Sequence, residues 1–106
     1  MNVISVTFNC DVDISLLRQF KEIVKFAKKV GKHCFVVNLT THFIPENFIT
    51  YVKQENRYLK DYKGGIKLVS QHGSIRRQMR YHDPVISVQV FDHEQQALDQ
   101  FALEAR

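Results

Sequence analysis

The stretch from Phe35 to Gln71 constrains the fold more than any other part of the chain. Phe35-Val36-Val37-Asn38-Leu39, within a segment running from His33, is a short apolar run without alternation, as expected of a strand covered on both faces. After a polar loop, Pro45 to about Lys63 repeats Phe48, Ile49, Val52, Leu59 and Tyr62 at helical steps. Gly64-Gly65 stop that helix, and Ile66-Lys67-Leu68-Val69 open a second strand ending at Ser70. A strand, a helix and a strand joined by short loops imply a crossover unit with two parallel strands. Where the first strand gives way to the helix, unpaired N–H groups and the positive end of a dipole face outward, so anions or partners favour that junction. Pro45, Glu46 and Asn47 occupy it: proline suits a first helical turn, and a carboxylate there is worth roughly 0.3 to 1 kcal/mol against the dipole.

The rest of the chain repeats this alternation. Ile4, Val6 and Phe8 against Ser5 and Thr7 give the period of a strand with one buried side, ending at Asn9-Cys10-Asp11. From Ser15, read as an N-cap, Leu16, Leu17, Phe20, Ile23, Val24 and Ala27 mark an amphipathic helix that Gly31 stops. Gln71-His72-Gly73-Ser74 form a turn before a short basic helix, Ile75 to about Tyr81, and Asp83-Pro84 break it. Val85 to Phe91 reads as the last strand. Asp92 with Gln95 resembles a capping box for a closing helix that buries Ala97, Leu98, Phe101, Ala102 and Ala105. The expectation is an α/β fold in one domain, 1–106: a mixed, mostly parallel sheet of four to five strands with about four helices, the N-terminal strand antiparallel at an edge.

Composition narrows the function classes. With 106 residues there is room for one core, and 44% hydrophobic with 25% charged residues is ordinary for a globular domain. No apolar run approaches the roughly 20 residues of a membrane helix, so no membrane insertion is expected. No leader-like segment opens the chain, and two cysteines are too few for a disulfide framework, so the expected location is cytoplasmic. A net charge of +4 selects no partner by itself.

Several residues invite a chemical reading. Arg18, Lys21, Lys25, Lys28 and Lys32 form a basic stripe on the first helix, most simply a solvated face. Ser74, Arg76 and Arg77, after a Gly-Ser turn, are candidate anion-binding residues. The five histidines lack paired ligand spacing, neither cysteine belongs to a Cys-x-x-Cys pair, and Cys34 reads as an inert core residue, so neither a metal nor another cofactor is expected. There is no phosphate-binding lysine loop, dinucleotide fingerprint or nucleophile elbow, and the phenylalanines fall on apolar faces without an exposed stacking pattern. Neither enzyme chemistry nor nucleic-acid binding is expected.

Taken in order, these segments resemble the STAS domain, the family named for sulfate transporters and anti-sigma factor antagonists. Cys10-Asp11-Val12-Asp13-Ile14 stands at its turn before the first helix, and Phe35-Val36-Val37-Asn38-Leu39 at its apolar strand ending in Asp-Leu or Asn-Leu. Tyr62-Lys63-Gly64-Gly65-Ile66-Lys67-Leu68-Val69 is similar to the family's Gly-Gly strand entry, Gly73 to Met79 to its short third helix, and Val90-Phe91-Asp92 through Leu98 to its closing strand and helix. The resemblance implies a regulatory module of bacterial-type signalling. Its partner would be a protein, an anti-sigma factor or kinase-like protein, docking at Thr41, His42, Pro45, Glu46, Asn47, Phe48 and Thr50. Alternatives within the family are a small-ligand, nucleotide or anion sensor, and an accessory subunit of a transporter ATPase.

The sequence departs from the family at that junction. Antagonists of this family carry an Asp-Ser or similar pair there, whose phosphorylation places nearly two negative charges on the docking surface. Pro45-Glu46 or Glu46-Asn47 holds the position here, so the usual phosphorylatable serine is missing. Glu46 could act as a fixed negative charge or only complement the dipole, and Thr40, Thr41 and Thr50 are the neighbouring hydroxyls. Cys10 replaces the turn glycine, and the family's additional strand before Val3 has no counterpart. An open sheet edge invites pairing with another chain, so a homodimer or a bound partner is expected.

Overall fold

Phe35, Val37 and Leu39 point to one side of the second strand and Cys34 and Val36 to the other, and each set joins a different cluster of buried side chains. That division organises the molecule. The computed structural model describes residues 2–106. In chain order its elements are β1 (Val3–Phe8), α1 (Ile14–Lys29), β2 (Cys34–Leu39), α2 (Glu46–Leu59) with a 3-10 turn at Lys60–Tyr62, β3 (Gly65–Val69), α3 (Gly73–His82), β4 (Val90–Phe91) and α4 (Glu94–Glu104). The strands stand in the order β1-β2-β3-β4, and every pairing is parallel.

Each crossover moves one strand over in the same direction, so a constant right hand puts α1, α2 and α3 on one face of the sheet. Their core holds Phe8, Phe20 and Phe48 edge to face or tilted within about 6 Å of one another, with Phe35, Leu68 and Ile75 beneath. On the other face α4 lies alone, packing Ala97 and Phe101 against Cys34, Val36 and Val69. Lys67 also points there and is buried, its Nζ 4.4 Å from the centre of the Phe101 ring and 3.0 Å from Glu104.

The structure corrects five expectations. β1 is parallel to β2, because α1 carries the chain back to the start of the sheet before β2 begins. Asp13, not Ser15, caps α1: its carboxylate accepts the Leu16 N–H at 2.8 Å. The last strand is only Val90–Phe91, since the buried Asp83 carboxylate accepts from Ser87 Oγ and the Val88 N–H, each at 2.7 Å, and curls the chain into a turn. Val85 and Ile86 are consequently exposed, with Ile86 left-handed at φ 52°. At α4 the side-chain oxygen of Gln96, three residues after His93, accepts both the Asp92 and His93 N–H groups, so the capping pair is shifted by one from Asp92 and Gln95. Ala102 and Ala105 are exposed, as is Tyr62, which stacks on His33 with 4.2 Å between ring centres.

No helix among the described residues is long and apolar enough to cross a membrane.

Candidate functional site at the carboxyl edge of the sheet

Three connections crowd the carboxyl ends of β1, β2 and β3, and their contacts fix the loop between β2 and α2. Phe8 and Leu39 are register partners, so the next residue, Thr40, donates both its N–H (3.3 Å) and its hydroxyl (2.9 Å) to the Phe8 carbonyl. Thr41 is buried; its hydroxyl donates to Asp11 Oδ1 at 2.6 Å and accepts the Phe43 N–H at 3.3 Å. Ser74, at the start of α3, donates to the His42 carbonyl at 2.8 Å, and the His42 ring rests on His72 with 3.8 Å between centres. Gln78, one turn further along α3, accepts the Ile44 N–H at 3.0 Å and donates to the Ile44 carbonyl. Ile44 is driven fully inward and Phe43 is turned outward, 62% exposed.

A fixed loop that holds a phenylalanine in water is the unusual feature here, because large apolar side chains presented from rigid backbone suit protein docking. Beside it, α2 opens at Pro45, whose carbonyl receives the Phe48 and Ile49 N–H groups at 3.1 and 3.3 Å, with no side-chain cap. Glu46, Asn47 and Thr50 are exposed and line a shallow depression with Lys21, Tyr51 and Gln54.

The residues singled out from the sequence fall into three groups. His42, Glu46, Asn47 and Thr50 are all exposed, His42 on the loop next to Phe43 and the other three on the first turns of α2, with Pro45 half-buried between them in the chain. Thr41 sits beneath it with its hydroxyl spent on Asp11. Phe48 is fully buried between Phe8 and Phe20, so it supports the junction from below and offers nothing to a partner. Sequence reasoning missed Phe43, Asp11 and Gln78. The available signal was the pair Phe43-Ile44, adjacent apolar residues in a loop, of which only one can point inward.

The candidate anion residues are engaged elsewhere. Arg76 donates to the Val90 carbonyl at 3.0 Å and to Asp92 at 2.7 Å, Ser74 holds His42, and Arg77 alone is exposed. Of the basic stripe on α1, Lys28 pairs with Glu55 at 3.1 Å and lies over the Tyr58 ring, while Lys21 lies over Tyr51 at 5.2 Å. These lysines form a seam between α1 and α2. Burial, and secondarily Glu55, push the Tyr51 hydroxyl well above its ordinary range, so it stays protonated as a neutral wall of the depression. Among the described residues no three histidine, cysteine or acidic side chains are grouped to hold a metal ion. No protein-family model matches the chain, and no curated protein matches it.

Proposed function

We propose that this chain is a regulatory protein-binding domain, similar to anti-sigma factor antagonists, that docks a partner protein on the carboxyl edge of its sheet. The observation carrying this reading is Phe43, exposed on a loop tied to Asp11, Ser74 and Gln78 and leading directly into the helix turns that expose Glu46, Asn47 and Thr50. A loop already held in place loses little conformational freedom on binding, so the apolar contact is not offset by ordering. An aromatic anchor ringed by polar groups is also the common anatomy of an interface centre.

Control of this surface would differ from that of the antagonists it resembles. No hydroxyl stands at the helix start, and the Glu46 carboxylate gives the surface a constant negative charge. Thr50 is the exposed hydroxyl closest in sequence to the helix start and is where an added phosphate would reach the same surface.

The test compares captured proteins from native lysate for the wild type, Phe43→Asp and Glu46→Lys, with each variant's thermal unfolding measured alongside. A specific protein bound by the wild type and lost with Phe43→Asp, at unchanged stability, supports the reading. A captured set indifferent to both substitutions refutes it. A thermal shift of the free chain with a nucleotide or simple anion would favour the ligand-sensor alternative.

A further inference from the structure

The two ends of the sheet are finished differently. At one end β4 offers two paired residues, preceded by Pro84 and the left-handed Ile86. Short strands, proline and local distortion are the means by which proteins keep an edge from pairing. At the other end β1 runs for six residues, Val-Ile-Ser-Val-Thr-Phe, with no charge and no proline, paired without a break from Val3 to Phe8. Among the described residues β2 is its only strand partner, so one row of β1 backbone groups is open.

The helix above that edge supplies a second observation. Lys21 and Lys28 turn toward α2, where they meet Tyr51 and Glu55. At about 100° per residue, Ile23, Phe26 and Val30 lie on the opposite flank of α1, the one over the open edge. They are 39%, 68% and 55% exposed. Half-buried Leu16, Ile4 and Val6 continue this apolar surface down to the strand. An extended peptide would satisfy the strand and leave Phe26 in water. The occupant has to bring both a strand and an apolar helix flank.

We infer that the occupant is a second copy of this chain, related by a two-fold axis perpendicular to the sheet, with β1 antiparallel to β1 and α1 against α1. Both copies then keep their helices on the same side, which requires opposed β1 residues of equal parity, with Ser5 or Val6 facing its own counterpart. Crossover helices riding over each β1–β2 pair would lie about two strand spacings apart, ~10 Å, the separation of packed helices. On the antiparallel helix pair centred near Phe26, Glu22 of each copy faces Lys29 of the other. Neither makes an ion pair with another described residue of its own chain. The charges at the rim are thus self-complementary, as a two-fold contact demands. The arrangement leaves the Phe43 loop free and sends the two loops to opposite ends of a continuous eight-stranded sheet.

Sedimentation equilibrium across the micromolar range tests this. The wild type should show twice the 12.5 kDa chain mass, and Phe26→Glu should be a monomer with an unchanged circular dichroism spectrum. Glu22→Lys and Lys29→Glu should each weaken association by about tenfold, since two symmetric contacts turn repulsive, and the two together should restore it. A wild type that is monomeric throughout overturns the inference. So does a dimer indifferent to Phe26→Glu, or a charge-swapped double variant as weak as the singles.

Discussion

Gln78 holds Ile44 by both of its backbone groups, accepting the N–H at 3.0 Å and donating to the carbonyl, so a side chain of α3 completes a loop that neither β2 nor α2 could fix alone. Ile44 is fully buried, and an unmade hydrogen bond beside it would be poorly compensated by water. Gln78→Leu, which fills the space and makes neither bond, should cost about 2 to 3 kcal/mol in urea unfolding. Gln78→Glu keeps the acceptor but sets a carboxylate oxygen against the Ile44 carbonyl, and should cost at least as much. Amide hydrogen exchange at Ile44 should rise in both variants while exchange in β2 stays unchanged.

Gly64 and Gly31 should respond to alanine very differently. A Cβ at Gly64 would lie 2.1 Å from the His33 carbonyl oxygen, and that backbone is tied to β3 by the Gly65 N–H at 2.9 Å. Neither side can yield, so Gly64→Ala should cost about 3 to 5 kcal/mol and separate the ends of β2 and β3. A Cβ at Gly31 meets nothing within 4 Å, and its φ of 80° is the sole obstacle. Gly31→Ala should cost only about 1 to 2 kcal/mol, the left-handed penalty. Thermal unfolding of the two variants side by side checks the order.

The contrast between β2 and β4 shows how much of this molecule could be read from its residues. β2 and β3 were legible because both faces are buried, and an apolar run has no other reading between two helices. β4 was not. Val85 to Phe91 has strand-like composition, but Asp83 grips Ser87 and Val88 and turns Val85 and Ile86 into water. That is a side-chain contact with no local period. At the carboxyl edge, Glu46, Asn47 and Thr50 were singled out by the resemblance together with Phe48, although helical phase already placed Phe48 inside. Phe43 became visible only once α3 stood beside the loop to supply Ser74 and Gln78.

The two cysteines should differ in reactivity. Cys10 is exposed in the loop after β1 and should label rapidly with a thiol reagent under native conditions. Cys34 is buried, and desolvation, partly offset by Lys67, raises its thiol above the ordinary value. It should label only at the rate of unfolding, giving one fast and one slow thiol by mass spectrometry.

The same burial gives stability an alkaline limit. Cys34 and Tyr51 both hold their protons to higher pH in the folded chain than in the unfolded one, Tyr51 through burial and then Glu55. For a group shifted upward, the folded state binds the extra proton, so its contribution is intact below the unfolded value and lost as pH rises. Unfolding free energy should therefore start to decline above about pH 8.5 through Cys34 and fall further above about pH 10 through Tyr51. Tyr51→Phe should reduce the second decline and leave the first, as measured by urea unfolding at stepped pH.

Lys67 and Glu104 should be strongly asymmetric on substitution. The Lys67 side chain is 6% exposed and depends on Glu104 at 3.0 Å, with Gln89 and the Phe101 ring as its other neighbours. Glu104 is 35% exposed on the last turn of α4 and also accepts from Gln100 at 3.0 Å. Removing the carboxylate leaves a buried ammonium with dipolar partners only, whereas removing the ammonium leaves a carboxylate that water can reach. Glu104→Ala should thus cost about 2 to 3 kcal/mol, while Lys67→Met, which keeps the packing of the stem, should change stability by less than about 1 kcal/mol. Combining them should make the chain more stable than Glu104→Ala alone, because the unpaired buried charge is gone. Equal costs for the two single substitutions in urea unfolding, or simple additivity in the double, would overturn the asymmetry between the buried ammonium and the carboxylate that water can reach.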